Sequence, residues 1–166
     1  MTADQLRAAQ APIKERYRAE PGTALITLRA HGTLISDLGC DVPTWSGVTR
    51  AGLHPATGGD GTLACSGDML LQALAGCAGV TLNVVATAMG IALRSAHIDA
   101  EGDLDFRGTL GVSREAPVGF AAIRLLVSLE ADADEAKVAK LIELTERYCV
   151  VAQTLKAACP VTIARR

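Results

Sequence analysis

The run MLLQALAGCAGVTLNVVATAMGIAL, residues 69–93, carries no charged side chain in 25 consecutive positions. It is long enough to span a bilayer. However, Gln72, Thr81, Asn83 and Thr87 interrupt it with polar groups, Gly76 and Gly79 lie inside it, and it stands alone in the chain. No Lys/Arg cluster or Trp/Tyr belt frames it, as it would at membrane interfaces. A helix that is apolar all round is equally suited to the centre of a soluble protein, and the run is read that way. Ser66 is the expected N-cap, with Asp68 in the first turn where the helix dipole favours a carboxylate. Gly90 is expected to end or bend the helix. Gln72 and Asn83 are expected to be hydrogen-bonded core polar groups.

The sequence on either side reads differently. Residues 94–131 are β-rich: 97–106 alternates over part of its length, Gly108 and Gly111 mark turns or bulges, and VGFAAIRLLVSLEAD (118–132) alternates best. Asp134 is placed to cap a helix over 135–147, a second helical piece follows over 150–158, Pro160 stops it, and VTIA (161–164) has strand character. Upstream, GLHPATGGDGT (52–62) is a long Gly- and Pro-rich loop. Residues 41–53 read as extended, with Pro43 and the sole Trp, Trp45, inside them. ALITLRA (24–30) reads as a strand and His31-Gly32 as the start of a turn. Residues 3–19 read as an amphipathic helix with Leu6, Ala9, Ile13 and Tyr17 near one face; Pro12 is expected to start or kink it, and Pro21-Gly22 to end it. Helix, strands, long buried helix, strands, two helices and strand is not a βαβ alternation. It favours an α+β domain with a strongly curved sheet.

Composition narrows the function classes. Aromatics are 3% of 166 residues, so stacking on nucleic-acid bases has few candidates. The net charge is −2, and Arg165-Arg166 is the only adjacent basic pair. Neither nucleic acid nor a membrane is expected as a partner. The N-terminus lacks the apolar core of a secretory signal, which points to the cytoplasm. Five cysteines, Cys40, Cys65, Cys77, Cys149 and Cys159, in a reducing compartment do not read as a disulfide framework.

Two of these cysteines have distinctive surroundings. Cys77 lies midway along the apolar helix, and Cys149 lies at a helix junction in LTERYCVVAQTL. The stretch GGDGTLACSGDMLLQALAGCAGVTL (58–82) resembles the signature of the OsmC-like family, the osmotically induced and organic-hydroperoxide-resistance proteins. That signature has a Gly-Gly loop, a run of the form sPeeLLlaALaaCta opening a long central helix, and a later CPvSqTL element. The later element here is CVVAQTL (149–155). The resemblance covers about residues 23–166 and leaves residues 1–22 as an N-terminal helical extension. Three positions depart from it. Ser66 replaces the proline before the helix, Gly67-Asp68 replaces the helix-start glutamate, and Val150 replaces the proline after the second cysteine.

The resemblance implies an intertwined homodimer of α+β subunits, each with a curved antiparallel sheet wrapped around a long buried central helix. It implies a thiol peroxidase that reduces organic hydroperoxides, with Cys77 peroxidatic and Cys149 resolving. An external dithiol of lipoyl or thioredoxin type would reduce the resulting disulfide, and no cofactor is expected. Burial raises a cysteine pKa, and Cys77 is about eleven residues into its helix, beyond the reach of the dipole. A cation is therefore expected near it. The family uses an arginine oriented by the helix-start glutamate; Arg29 is the candidate, with Arg50 and Arg18 as rivals, and Asp68 stands nearest the missing glutamate. Asp68 lies about 13–14 Å along the helix from Cys77, so it can act only through an arginine or across an interface.

Other features carry blander readings. Cys65 and Cys40 are expected to be non-catalytic, and Cys159, despite its Cys-Pro pair, to be a buried or strand-edge residue. His54 reads as a satisfied loop histidine. A zinc site of Cys40, His54 and Cys65 has no supporting spacing. The Gly58–Gly61 run lacks the following Lys-Ser/Thr of a phosphate loop. The altered helix-start and junction positions keep open a second function: a non-catalytic or redox-sensing dimer of the same fold that binds a small apolar ligand or a partner.

Overall fold

A computed structural model describes residues 1–157 and 159–165. In chain order the elements are α1 (Ala3–Ala19), β1 (Thr33–Ile35), β2 (Gly39–Thr44), β3 (Gly47–Gly52), β4 (Ala64–Cys65), α2 (Ser66–Met89), β5 (Leu93–Leu104), α3 (Phe106–Thr109), β6 (Phe120–Ala131), α4 (Glu135–Tyr148) and α5 (Val150–Lys156). Two compact units share them. One comprises Met1–Glu15, Ala73–Asp99 and Leu125–Arg166; the other comprises Arg16–Gln72 and Ala100–Arg124.

The first unit holds the apolar core. Leu82, Val85 and Ala86 of α2 meet Ile91 and Leu141, with Ile98, Val127, Leu129 and Ile142 packed around them. Leu82 and Leu141 are 1% and 0% exposed. Among the described residues α2 is the helix long and apolar enough to cross a membrane, yet its buried residues Leu74, Ala78, Leu82, Val85 and Ala86 form the single stripe of a core helix. Gly90 ends α2 at φ +68°, a left-handed conformation suited to glycine. Asp134 caps α4 as its position predicts, accepting from the Lys137 amide at 2.8 Å.

In the second unit β1, β2 and β3 form an antiparallel meander, and the two-residue β4 adds in parallel to β3. The sheet is thus antiparallel except at that edge. α3 was not legible in the sequence: Asp105 caps a single turn, accepting from the Arg107 amide at 3.0 Å. Gly108 fits there because a Cβ would lie 2.3 Å from the Pro117 carbonyl oxygen. β5 and β6 pair as long strands.

Several expectations fail. Residues 25–32 carry no strand, and Leu25 and Leu28 are each 90% exposed. Residues 161–164 carry none either, and Ile163 is 99% exposed. Apolar alternation marks what a strand could bury, but a strand also needs a neighbour for its backbone bonds. α1 starts at Ala3, not at Pro12, and buries no residue. Gln72 and Asn83 are exposed, not core polar groups.

Candidate active site

Cys77 and Cys149 meet inside the first unit. Cys77 sits on α2, two residues beyond the midpoint of the apolar run's first half, and is half-buried. Cys149 occupies the single extended residue between α4 and α5, with φ −71° and ψ 106°, and is 0% exposed. Neither glycine nor proline causes the break; the two β-branched residues that follow, Val150 and Val151, are only weak helix formers. The Cys149 amide still bonds the Thr145 carbonyl at 3.0 Å, and the Cys149 carbonyl accepts from the Gln153 amide at 2.9 Å. The junction is therefore held from both sides.

The two thiols act on each other, and their acidities move apart. Burial pushes the Cys77 thiol up. The Val151 amide, the Cys149 thiol, the Val150 amide and the Thr81 hydroxyl all favour its thiolate, and together they bring it below its ordinary value. Thr81 lies one turn along α2, its hydroxyl 2.8 Å from the Cys77 carbonyl oxygen. Cys149 moves the other way. Burial raises it first, and donation to Cys77 together with the Cys77 charge adds to the rise; the Ala152 and Val151 amides only offset this. Of the pair, Cys77 is the first to lose its proton and Cys149 the last; both are free cysteines.

Among the described residues, the groups that act on Cys77 are backbone amides, a thiol and a hydroxyl. Arg29 is exposed in the stretch 25–32, and Asp68 is exposed in the first turn of α2. Both belong to the second unit. Arg50 pairs with Asp41 at 3.2 Å in the β2–β3 hairpin, and Arg18 lies on α1. Reasoning from side chains alone missed the backbone amides of Val150 and Val151; the helix junction at Cys149 was the signal that could have found them.

The remaining candidates lie elsewhere. His54 accepts from the Ala56 amide at 3.0 Å and stacks on Phe106 at 4.8 Å, as a satisfied loop histidine does. Cys40 and Cys65 are half-buried. Cys159 is exposed, which corrects the expectation of a buried or strand-edge residue. Among the described residues no group of three or more His, Cys, Asp or Glu could hold a metal ion. A cleft of about 450 Å³ between α2 and β5 is lined by Leu82, Asn83, Arg94 and His97 among others, and by neither cysteine.

The comparisons with known proteins agree with this architecture. Solved structures share the fold at low identity. The OsmC-like protein of Mycoplasma pneumoniae matches with a TM-score of 0.66 and 18% identity, over 79% of this chain and 88% of that one. The organic hydroperoxide resistance protein OhrB of Bacillus subtilis matches at 0.55 and 18%, over 78% and 91%. An organic hydroperoxide resistance protein OsmC of Legionella pneumophila matches at 0.55 and 15%, over 80% and 92%. No curated protein matches the sequence. The family model described as OsmC-like protein matches residues 59–164, which include both cysteines of the site, and the chain belongs to the OsmC-like family.

Proposed function

We propose that the protein is a two-cysteine thiol peroxidase that reduces organic hydroperoxides. The observation that carries this reading is the pairing of a Cys77 sulfur biased towards thiolate with a buried Cys149 thiol in contact with it. The Cys77 thiolate attacks the distal oxygen of the peroxide. The O–O bond breaks, sulfur is oxidised by two electrons to sulfenic acid, and the alkoxide leaves and takes a proton from water. The Cys149 thiol then attacks the Cys77 sulfur, forming the disulfide and releasing water. An external dithiol, of lipoyl or thioredoxin type, exchanges with this disulfide and returns both thiols. The aliphatic surroundings suit alkyl or lipid hydroperoxides.

The same proposal includes a homodimer in the cytoplasm. Val80 and Val84 on α2, and Leu25, Leu28 and Val161 outside any element, are exposed apolar residues that a second copy would cover. It also includes residues 1–22 as an extension to the domain, and an auxiliary role for Arg29 oriented by Asp68. In steady state with cumene hydroperoxide and dihydrolipoamide, peroxide consumption many turnovers beyond the protein concentration supports the enzyme. The departures at Gly67-Asp68 and Val150 from the family signature favour the second reading, a non-catalytic or redox-sensing dimer of the same fold that binds a small apolar ligand or a partner. One equivalent consumed and no more, with dithiol present, would decide for the sensor.

A further inference from the structure

The break between α4 and α5 redirects hydrogen-bond groups. In an unbroken helix the Val150 amide would bond the Glu146 carbonyl, four residues back, and the Val151 amide would bond Arg147. α4 instead ends at Tyr148, and the amides of Val150 and Val151 act on the Cys77 sulfur. The last carbonyls of a helix lack intrahelical partners. That of Thr145 keeps one in the Cys149 amide. That of Glu146 has lost its regular donor, and the Gln153 side chain replaces it, with Nε2 donating at 2.8 Å. Lys156, further along α5, pairs with the Glu146 carboxylate. Both the first turn of α5, through Gln153, and its last, through Lys156, are thus tied to one residue in the last turn of α4, Glu146.

We infer that Gln153 is a positioning residue for Cys77: its carboxamide takes the Glu146 carbonyl and so leaves the Val150 amide to the sulfur. Without Gln153, the Glu146 carbonyl regains its partner by re-pairing with Val150, which extends α4 and withdraws a donor from Cys77. The inference concerns the cysteine pair on which the proposed function rests. Cys149 is the only titratable group among those acting on Cys77, and Thr81 is the other side chain; no carboxylate, imidazole or cation joins them among the described residues. Gln153 is exposed, so replacing it opens no core.

The test is the pH dependence of Cys77 alkylation by iodoacetamide, resolved from the other cysteines by peptide mass spectrometry. Gln153→Ala and the neutral, donor-free Gln153→Met are expected to move the midpoint about 1 pH unit higher, the scale of one hydrogen bond to a charged sulfur. Val150→Pro removes the amide itself and should give the same rise; the extended backbone of Cys149 accommodates a following proline. Val150→Ala keeps the amide and should leave the midpoint in place. An unchanged midpoint in both Gln153 variants overturns the inference, as does an equal rise in Val150→Ala. The titration reads the thiol whether or not peroxide is consumed, so a failure of peroxidase turnover leaves this result independent.

Discussion

Two pairs of cysteines can be compared, and in only one do the thiols act on each other. Cys40 on β2 is level with Ala51, which is level with Ala64; Cys65 is level with Gly52, one residue further along. Side chains alternate between faces along a strand, so Cys40 and Cys65 point to opposite faces of the sheet. They are also two strand spacings apart, about 10 Å, beyond the separation a disulfide can bridge. Cys77 lies on α2 and Cys149 at the junction of α4 and α5, and the two thiols act on each other, with the Val150 and Val151 amides favouring the Cys77 thiolate. Cys40, Cys65 and Cys77 are all half-buried, so burial alone does not single out Cys77. What separates the two pairs is the mutual action of the thiols and a supply of donors that favours one thiolate.

The largest effect expected from this contrast is on peroxide consumption. Cys77→Ser should reduce it to the rate of free cysteine, while the double variant Cys40→Ser/Cys65→Ser should stay within about twofold of the parent, as substitutions away from a reacting centre do. Cys149→Ser should allow one oxidation and then stall, leaving a Cys77 sulfenic acid that dimedone captures; full turnover in this variant would remove Cys149 from the mechanism.

Stability separates the core from the exposed apolar residues. Leu141→Ala, at a fully buried position, should destabilise by about 2–5 kcal/mol in urea unfolding. Leu34→Ala, at a position 85% exposed, should cost less than about 0.5 kcal/mol. A large loss at Leu34 would mean that a second copy covers it. The smallest effect is a shift in pH. Because donors hold the Cys77 thiol below its ordinary value, its thiolate persists to lower pH. Alkylation of Cys77 should therefore reach half its plateau rate at a lower pH than that of a free cysteine peptide, while Cys149, raised and buried, should resist alkylation until higher pH.

Most of this frame was legible in the sequence. The absence of charge over 69–93 announced α2, Asp134 announced α4, and the alternation in 118–132 announced β6, because each is a local pattern with a local physical cause. The two cysteine contexts pointed to Cys77 and Cys149 for a different reason, the resemblance of their flanking motifs. Besides α3, three things were not legible. Residues 24–30 and 161–164 have the alternation of strands, but pairing depends on what lies beside them. Cys159 was expected to be buried or at a strand edge and is exposed, because the strand expected over 161–164 does not form. The donors at Cys77 are backbone amides, and every non-proline residue has one. Side-chain identity could not single out Val150 and Val151; only the break after Tyr148 exposes them.

The central claim is that Cys77 and Cys149 act as one redox unit. It is tested most directly by titrating the reduced protein with cumene hydroperoxide and mapping the products by peptide mass spectrometry. The account predicts a Cys77–Cys149 disulfide at one equivalent, formed faster than free cysteine reacts and reversed by dihydrolipoamide. Oxidation no faster than that of free cysteine, or oxidation spread over Cys40, Cys65 and Cys159 with Cys77 left as thiol, would contradict it.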